Sequence, residues 1–392
     1  MIKLFFIIFF IQIYFIQASE TEIEIHGYLS RGYIKTSKYN FLAENSSTGT
    51  SKWGELGINF GYQAHDRLRI GAQILARELG TVGKYKPTLD WAFLDYQLTD
   101  WATVRYGKFF TTGSLYNEGR DIDLLRNSIL LPNAINSEDF RDISQMKGLS
   151  LHGDVNIGDK NSISYNFSKG NVSFDENSAF TSDIQSFFKQ NPINLNTAVK
   201  LNADNVLAYS LVWNTWIKGL RLGFSSLNLN IGIDAKILPF QISLPSMIIN
   251  NSKKLKVKSL EYVKNKWSYI SEYVTGRLDF IGFGTTQTFI SYQNHYHQLI
   301  YRLNERYGLG LINEKTHKNS LAGKDLINQY QKDLTFTLRV DISDNWLLKL
   351  EYHDLEGTTN LRGVLNPSGQ FIPSFNKGEN WDMFMAKVTY SF

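Results

Sequence analysis

Glu55-Leu56-Gly57-Ile58-Asn59-Phe60-Gly61-Tyr62, then after His65-Asp66 the run Leu68-Arg69-Ile70-Gly71-Ala72-Gln73-Ile74, is the stretch that decides how this chain folds. Leu56, Ile58, Phe60 and Tyr62 share one face of an extended strand, with Glu55, Gly57, Asn59 and Gly61 on the other, because side chains alternate with a period of two. The second run repeats the pattern, setting Leu68, Ile70, Ala72 and Ile74 against Arg69, Gly71 and Gln73. A two-residue link between such runs reads as a tight hairpin. The pattern recurs at Ile163-Ser164-Tyr165-Asn166-Phe167, at Leu334 to Val340 and at Phe384 to Phe392. Alternation alone fits a sandwich with its apolar face inward as well as a barrel with its apolar face toward lipid.

Connection lengths separate the two. Short links fall at 65–66, 99–100, 158–161, 218–219, 282–285 and 343–345, and between them lie long polar segments at 37–51, 110–147, 171–205, 234–266, 298–332 and 356–380. Only 80–86 is a brief exception. Short turns alternating with long loops are the signature of an outer-membrane barrel with periplasmic turns and extracellular loops. The segments give about 14 strands, and a hairpin hidden in one loop would raise the count to about 16. The fold expected is all-β: a transmembrane antiparallel β-barrel of 14–16 strands with long extracellular loops. Trp53, Trp91, Trp101, Trp213, Trp216, Trp267, Trp346 and Trp381 fall near strand ends, where interfacial aromatic girdles belong.

Composition agrees. The chain has 392 residues, no cysteine, 14% aromatic residues and a net charge of +4, which excludes disulfide and thiolate-metal frameworks and gives no footing for nucleic-acid binding. Met1-Ile2-Lys3, the apolar run Leu4 to Ile16 and the small residues at Ala18-Ser19 form a secretory leader. Residues 1–18 are therefore expected to be removed, leaving a barrel over 19–392 in the outer membrane of a Gram-negative cell.

The terminal Lys387-Val388-Thr389-Tyr390-Ser391-Phe392 resembles the closing strand of outer-membrane barrels, and His26 to Tyr33 resembles the first strand of proteobacterial porins. Leu89-Asp90-Trp91-Ala92 and Gly113 to Arg126 are similar to a porin-like family. That resemblance implies a passive channel for small hydrophilic solutes, an assembly signal at Tyr390 and Phe392 read by the barrel-assembly machinery, a homotrimer, and contact with outer-membrane lipid and lipopolysaccharide. It also implies that the connection after the fifth strand, residues 110–147, folds into the lumen as a constriction.

This connection carries Glu118, Asp121, Asp123, Glu138, Asp139 and Asp142 beside Arg120, Arg126, Arg141 and Lys147, with apolar Leu124-Leu125 and Ile129-Leu130-Leu131 between them. The apolar residues are expected to anchor the loop on the wall while its carboxylates face water. Inward strand positions supply Arg69, Arg77, Arg105, Arg221, Arg277, Arg339, Lys349 and Lys387. Charged rings set selectivity in pores. The candidate lining residues are thus Arg69, Arg77, Arg105, Glu118, Arg120, Asp121, Asp123, Arg126 and Arg339, with a weak anion preference. Against this stands a plain extracellular loop whose charges are merely solvated.

No catalytic triad, phosphate-binding glycine loop or zinc-protease motif occurs, so neither an enzyme nor a cofactor is expected. His295-Tyr296-His297 puts two rings on one strand face but names no third metal ligand. Lys253-Lys254-Leu255-Lys256-Val257-Lys258, placed by this reading in a loop that would meet lipopolysaccharide phosphates or host polyanions, favours the competing function of surface adhesin or receptor, against a plain solvated charge run. N-terminal sequencing of the membrane form should find a chain beginning at Ser19; retention of Met1 would refute the leader.

Overall fold

The alternating stretch forms β2 (Trp53–His65) and β3 (Leu68–Leu79), antiparallel, with Leu56 opposite Ala76 and Phe60 opposite Ala72. The structure is a computed structural model that describes residues 23–80, 82–111, 113–117, 119–120, 122–132, 141–190, 197–238, 240–244, 247–281, 288–322, 325–362, 365–366 and 379–392. The leader at 1–18 lies outside the described residues.

The remaining elements are β1 (Ile23–Thr36), β4 (Thr88–Thr99), β5 (Ala102–Phe110), β6 (Gln145–Ile157), β7 (Asn161–Ser173), α1 (Ala179–Gln190), β8 (Thr197–Asn214), β9 (Leu220–Asn228), β10 (Asn230–Ile237), β11 (Ile242–Ser243), β12 (Met247–Lys264), β13 (Trp267–Ile281), β14 (Thr288–Arg302), β15 (Tyr307–Ala322), β16 (Asp325–Asp341), β17 (Trp346–Gly357) and β18 (Asn380–Ser391). Each strand pairs antiparallel with its neighbours, and β18 returns to β1 with Leu29 opposite Tyr390 and Tyr33 opposite Ala386. β9 and β10 both lie between β8 and β12 and so share one place in the wall. β11 pairs with β10 beyond the wall, so eighteen strands make a closed barrel of sixteen staves. Closure matters energetically: an unpaired backbone group in hydrocarbon costs several kcal/mol, and a ring has no edge.

The apolar face points outward. Leu56, Phe60, Ile70, Ile74, Leu149, Leu151, Phe167, Leu207, Leu211 and Phe336 are exposed on the outside of the wall. Buried hydrophobic residues gather instead inside the barrel toward its loop end. There Ile34, Trp53, Leu79, Ile129, Leu355, Trp381 and Met383 form one cluster, and α1 contributes Ile184 to another. Five tryptophans fit the girdle. Trp101, Trp216, Trp267 and Trp346 are exposed at the turn end, and Trp213 packs against Trp216 with ring centroids 5.3 Å apart. Trp53 and Trp381 do not: they are buried inside, 5% and 2% exposed.

Two stretches taken as connections are wall, and one link sits at the other end. Residues 298–332 hold the end of β14, all of β15 and the start of β16. The basic run at 253–258 lies within β12, not in a surface loop, and the link after Ile281 falls at the loop end of the barrel, not at the turn end. The physical reason is that β12 and β15 are polar on both faces over much of their length, so no apolar alternation marks them.

Phe392 closes the ring. Its N–H and C=O both bond Gly27 at 3.0 Å, and a Cβ at Gly27 would stand 2.5 Å from the Phe392 ring. Deleting Phe392 removes two hydrogen bonds, about 1–3 kcal/mol together. It should lower the yield of heat-modifiable folded barrel, whereas an unchanged yield would show that closure does not depend on this residue.

Candidate functional site

The chain leaving β5 does not stay at the rim. Ser225 on the inner face of β9 donates to the Gly113 carbonyl, the Leu115 N–H donates to Glu272 Oε1 on β13 at 2.9 Å, and the Tyr116 hydroxyl donates to Glu261 on β12 at 2.7 Å. Burial, with the Glu261 carboxylate beside it, pushes the Tyr116 hydroxyl up, so it keeps the proton it donates. The loop then reaches β15 to β18. Asn127 Nδ2 lies 2.5 Å from Thr337 Oγ1, and the Ile129 and Leu130 N–H groups donate to the two oxygens of Glu351 at 2.6 and 3.3 Å. Arg141 returns the loop to the wall at Asp90 on β4, 3.2 Å away.

Asp123 is the centre of this docking. It is 5% exposed and opens a single 3-10 turn, Asp123–Leu125. Its Oδ2 meets Lys387 Nζ and Thr389 Oγ1, each at 2.8 Å, while Oδ1 takes Arg126 Nη2 at 2.8 Å and lies 3.6 Å from Lys349 Nζ. Lys349, 1% exposed, also donates to the carbonyls of Asp123 and Ser128 at 2.7 and 3.0 Å. Arg339 donates to the carbonyls of Leu124 and Arg126 and pairs with Asp341. Burial alone would raise the Asp123 carboxyl, but Lys387, Lys349 and Arg126 override it and hold the group well below the usual carboxylate range. A carboxylate so placed is a latch, not a lining charge.

The expected orientation of the loop is therefore reversed at its centre. Asp123 faces the wall, and Leu124 and Leu125 are 40% and 63% exposed toward the lumen; Ile129, 2% exposed, and half-buried Leu130 anchor as anticipated. Arg339 and Arg126 belong to the same docking, and Arg120 is buried against Ser144 Oγ at 2.9 Å. Glu118 and Asp121 lie outside the described residues. Arg69 is exposed and Arg77 half-buried on the inner face of β3. Arg105 holds both oxygens of Asp95 at 2.7 and 2.8 Å, with its guanidinium 4.0 Å from the Phe93 ring centroid. Arg277, expected inward, sits on the face opposite to Glu272 and pairs with Asp279 at 2.7 Å. Tyr390 and Phe392 stand on the outer face at the turn end, ring centroids 6.3 Å apart.

Glu351, Asn127, Thr337 and Thr389 escaped the sequence reading as docking residues. Their signal was the charge pair Lys349 and Glu351 on the inner face of a strand otherwise apolar outside. On the β5–β9 side a polar chamber of about 310 Å³ remains, lined by Arg105, Ser114, His152, Asn166, Ser210 and Arg221 among others.

No protein-family model and no curated protein sequence matches this chain. Solved structures do match. OmpT of Vibrio cholerae, an outer membrane protein solved as a loop L8 deletion mutant, superposes with a TM-score of 0.59 at 10% identity, over 95% of this chain and 99% of that one. An anion-selective porin from Comamonas acidovorans gives 0.56 at 9% identity over 95% and 100%. The outer membrane channel DcaP of Acinetobacter baumannii gives 0.52 at 12% identity over 96% and 99%. The chain thus has the closed sixteen-stranded fold of outer-membrane porins.

Replacing Asp123 with Ala strands Lys349 without its carboxylate and leaves Lys387 with Glu55 alone, a loss of about 3–5 kcal/mol for a buried pair. If the barrel conducts, single-channel records of the variant should show a noisier, less defined open level. The low carboxyl pKa lends stability that is complete above about pH 3.9 and is lost only as pH falls below it. Open-channel noise of the parent should accordingly stay constant from about pH 7 to 4 and rise in stronger acid. A D123A channel as quiet as the parent would contradict the latch.

Proposed function

We propose that this barrel is a passive outer-membrane channel for small hydrophilic solutes, with a weak preference for anions. The observation that carries the reading is the loop between β5 and β6, which narrows the lumen while leaving a polar chamber along the β5–β9 wall. A barrel serving only as a surface scaffold has no need to bring a loop inside and tie it to strands on the far wall.

The preference is weak because most wall cations are paired. Arg105 faces Asp95, Arg221 faces Glu261, and Lys387 is shared by Glu55 and Asp123. Arg69 remains exposed on the inner face of β3. At physiological salt, charges more than about 8 Å apart are largely screened, so its influence is local and grows on dilution. A trimer form described for Vibrio cholerae OmpT, with a TM-score of 0.58 and 11% identity over 95% of this chain and 99% of that one, supports a homotrimer here as well.

Liposomes carrying the purified barrel should swell in isotonic small sugars and progressively less in larger ones. Under a salt gradient, Arg69→Ala should move the reversal potential toward cations, with a larger shift in dilute salt. Liposomes that do not swell at all would remove the channel reading; a reversal potential unmoved by Arg69→Ala would remove only the selectivity.

A further inference from the structure

One sector of the outer wall departs from the apolar rule. Glu272, Tyr296, Glu314 and Thr335 are buried on the inner face, Tyr296 donating to Glu272 at 2.8 Å and Glu272 accepting the lumenal Leu115 N–H. Their alternating neighbours therefore point outward. Reading across the register, Lys258 stands opposite Tyr273, Tyr273 opposite His295, His295 opposite Lys315, and Lys315 opposite Lys332. The next row toward the loop end runs Lys256, Thr275, Gln293, His317 and Tyr330.

Two continuous rows across five staves thus carry Lys256, Lys258, Lys315 and Lys332, where the β2–β3 and β6–β8 sectors carry leucine, isoleucine and phenylalanine. Within these rows the partner strand β17 supplies one carboxylate, Glu356, which pairs with Lys332 at 2.7 Å. Lys315 and Lys332 face each other directly, like charges that destabilise a sheet, and the Glu356 carboxylate compensates on the Lys332 side. Cations on the lipid side of a barrel are costly in the hydrocarbon. Lysine stems relieve that cost by carrying the ammonium groups toward a polar interface. The aromatic rim of Trp267, Tyr301 and Trp346 marks the turn end, so these rows lie toward the opposite leaflet, the one beside the loops.

We propose that the outer face of β12–β16 is a docking surface for the phosphorylated headgroups of outer-leaflet glycolipid. Lys256, Lys258 and Lys315 meet the phosphates, and His295, Gln293 and His317 offer hydrogen-bonding groups to the sugars. A second copy of the chain is a poorer occupant: a two-fold contact through this patch would press the same lysines against each other. The surface lies on the opposite side of the wall from the lumen, so it stands whether or not the channel conducts.

The test uses the full barrel purified in detergent, incubated with diphosphorylated lipid A or with enzymatically dephosphorylated lipid A, and read by native mass spectrometry. The parent should retain the phosphorylated lipid. K256Q/K258Q/K315Q, checked for folding by heat-modifiable mobility, should retain it less by at least about tenfold, since each lysine near an anionic surface contributes separately. K35Q, on β1 away from the patch, should retain it like the parent. Dephosphorylated lipid A should bind the parent as weakly as phosphorylated lipid binds the triple variant, an arm that decides the matter even if the variant folds poorly. Equal retention of the two lipids by the parent, or of phosphorylated lipid by parent and triple variant, would overturn the assignment.

Discussion

A carboxylate taken out of water among three cations fixes everything attached to it. Asp123 is buried between Lys349, Lys387 and Arg126, and the two lysines belong to adjacent strands of the far wall. Removing any one partner leaves the others charged and desolvated, so the group holds together or fails together. The loop backbone is tied in the same act, through the carbonyls of Asp123 and Ser128 on Lys349 and the N–H groups of Ile129 and Leu130 on Glu351. With that segment fixed, Leu124 and Leu125 have no wall left to bury against and face the lumen. The shape of the opening follows from the latch and not from repulsion across it.

Two solvents act on this chain at once. Outside, lipid demands apolar side chains and a closed ring of backbone hydrogen bonds; inside, water and the docked loop demand polar ones. The β12–β16 sector shows what happens when the outer demand relaxes, as polar and basic side chains appear on both faces of the same strands. That sector is also where strand signals fade, because a strand polar on both sides has no period of two to detect.

The fold was legible where the two demands differ most. Leu56 to Tyr62 and Phe384 to Phe392 announced their strands and their outward faces, and the alternation of short and long links pointed to a barrel. β15 was missed because Asn313-Glu314-Lys315-Thr316-His317-Lys318-Asn319 reads as a loop until its register with β14 and β16 is seen. The loop's inward course was legible as an expectation, and its position in the chain was right. Its orientation was not. Asp123 looks solvated in sequence, since its partners Lys349 and Lys387 lie more than 200 positions away and are brought near only by closure of β18 on β1. Glu351 was hidden for the same reason, being a strand acid that accepts from loop N–H groups.

The central claim is that the loop rests permanently against β16 and β17 in the folded barrel, including during the conduction proposed for it. The chain has no cysteine, so a single engineered pair is unambiguous. Asn127→Cys with Thr337→Cys, joined by a short bis-methanethiosulfonate linker, can be followed in planar bilayers before and after reduction. The account predicts ready cross-linking and the same unitary conductance in the linked and reduced channels. A pair that fails to cross-link in the folded barrel, or a conductance that changes when the link is cut, would contradict it.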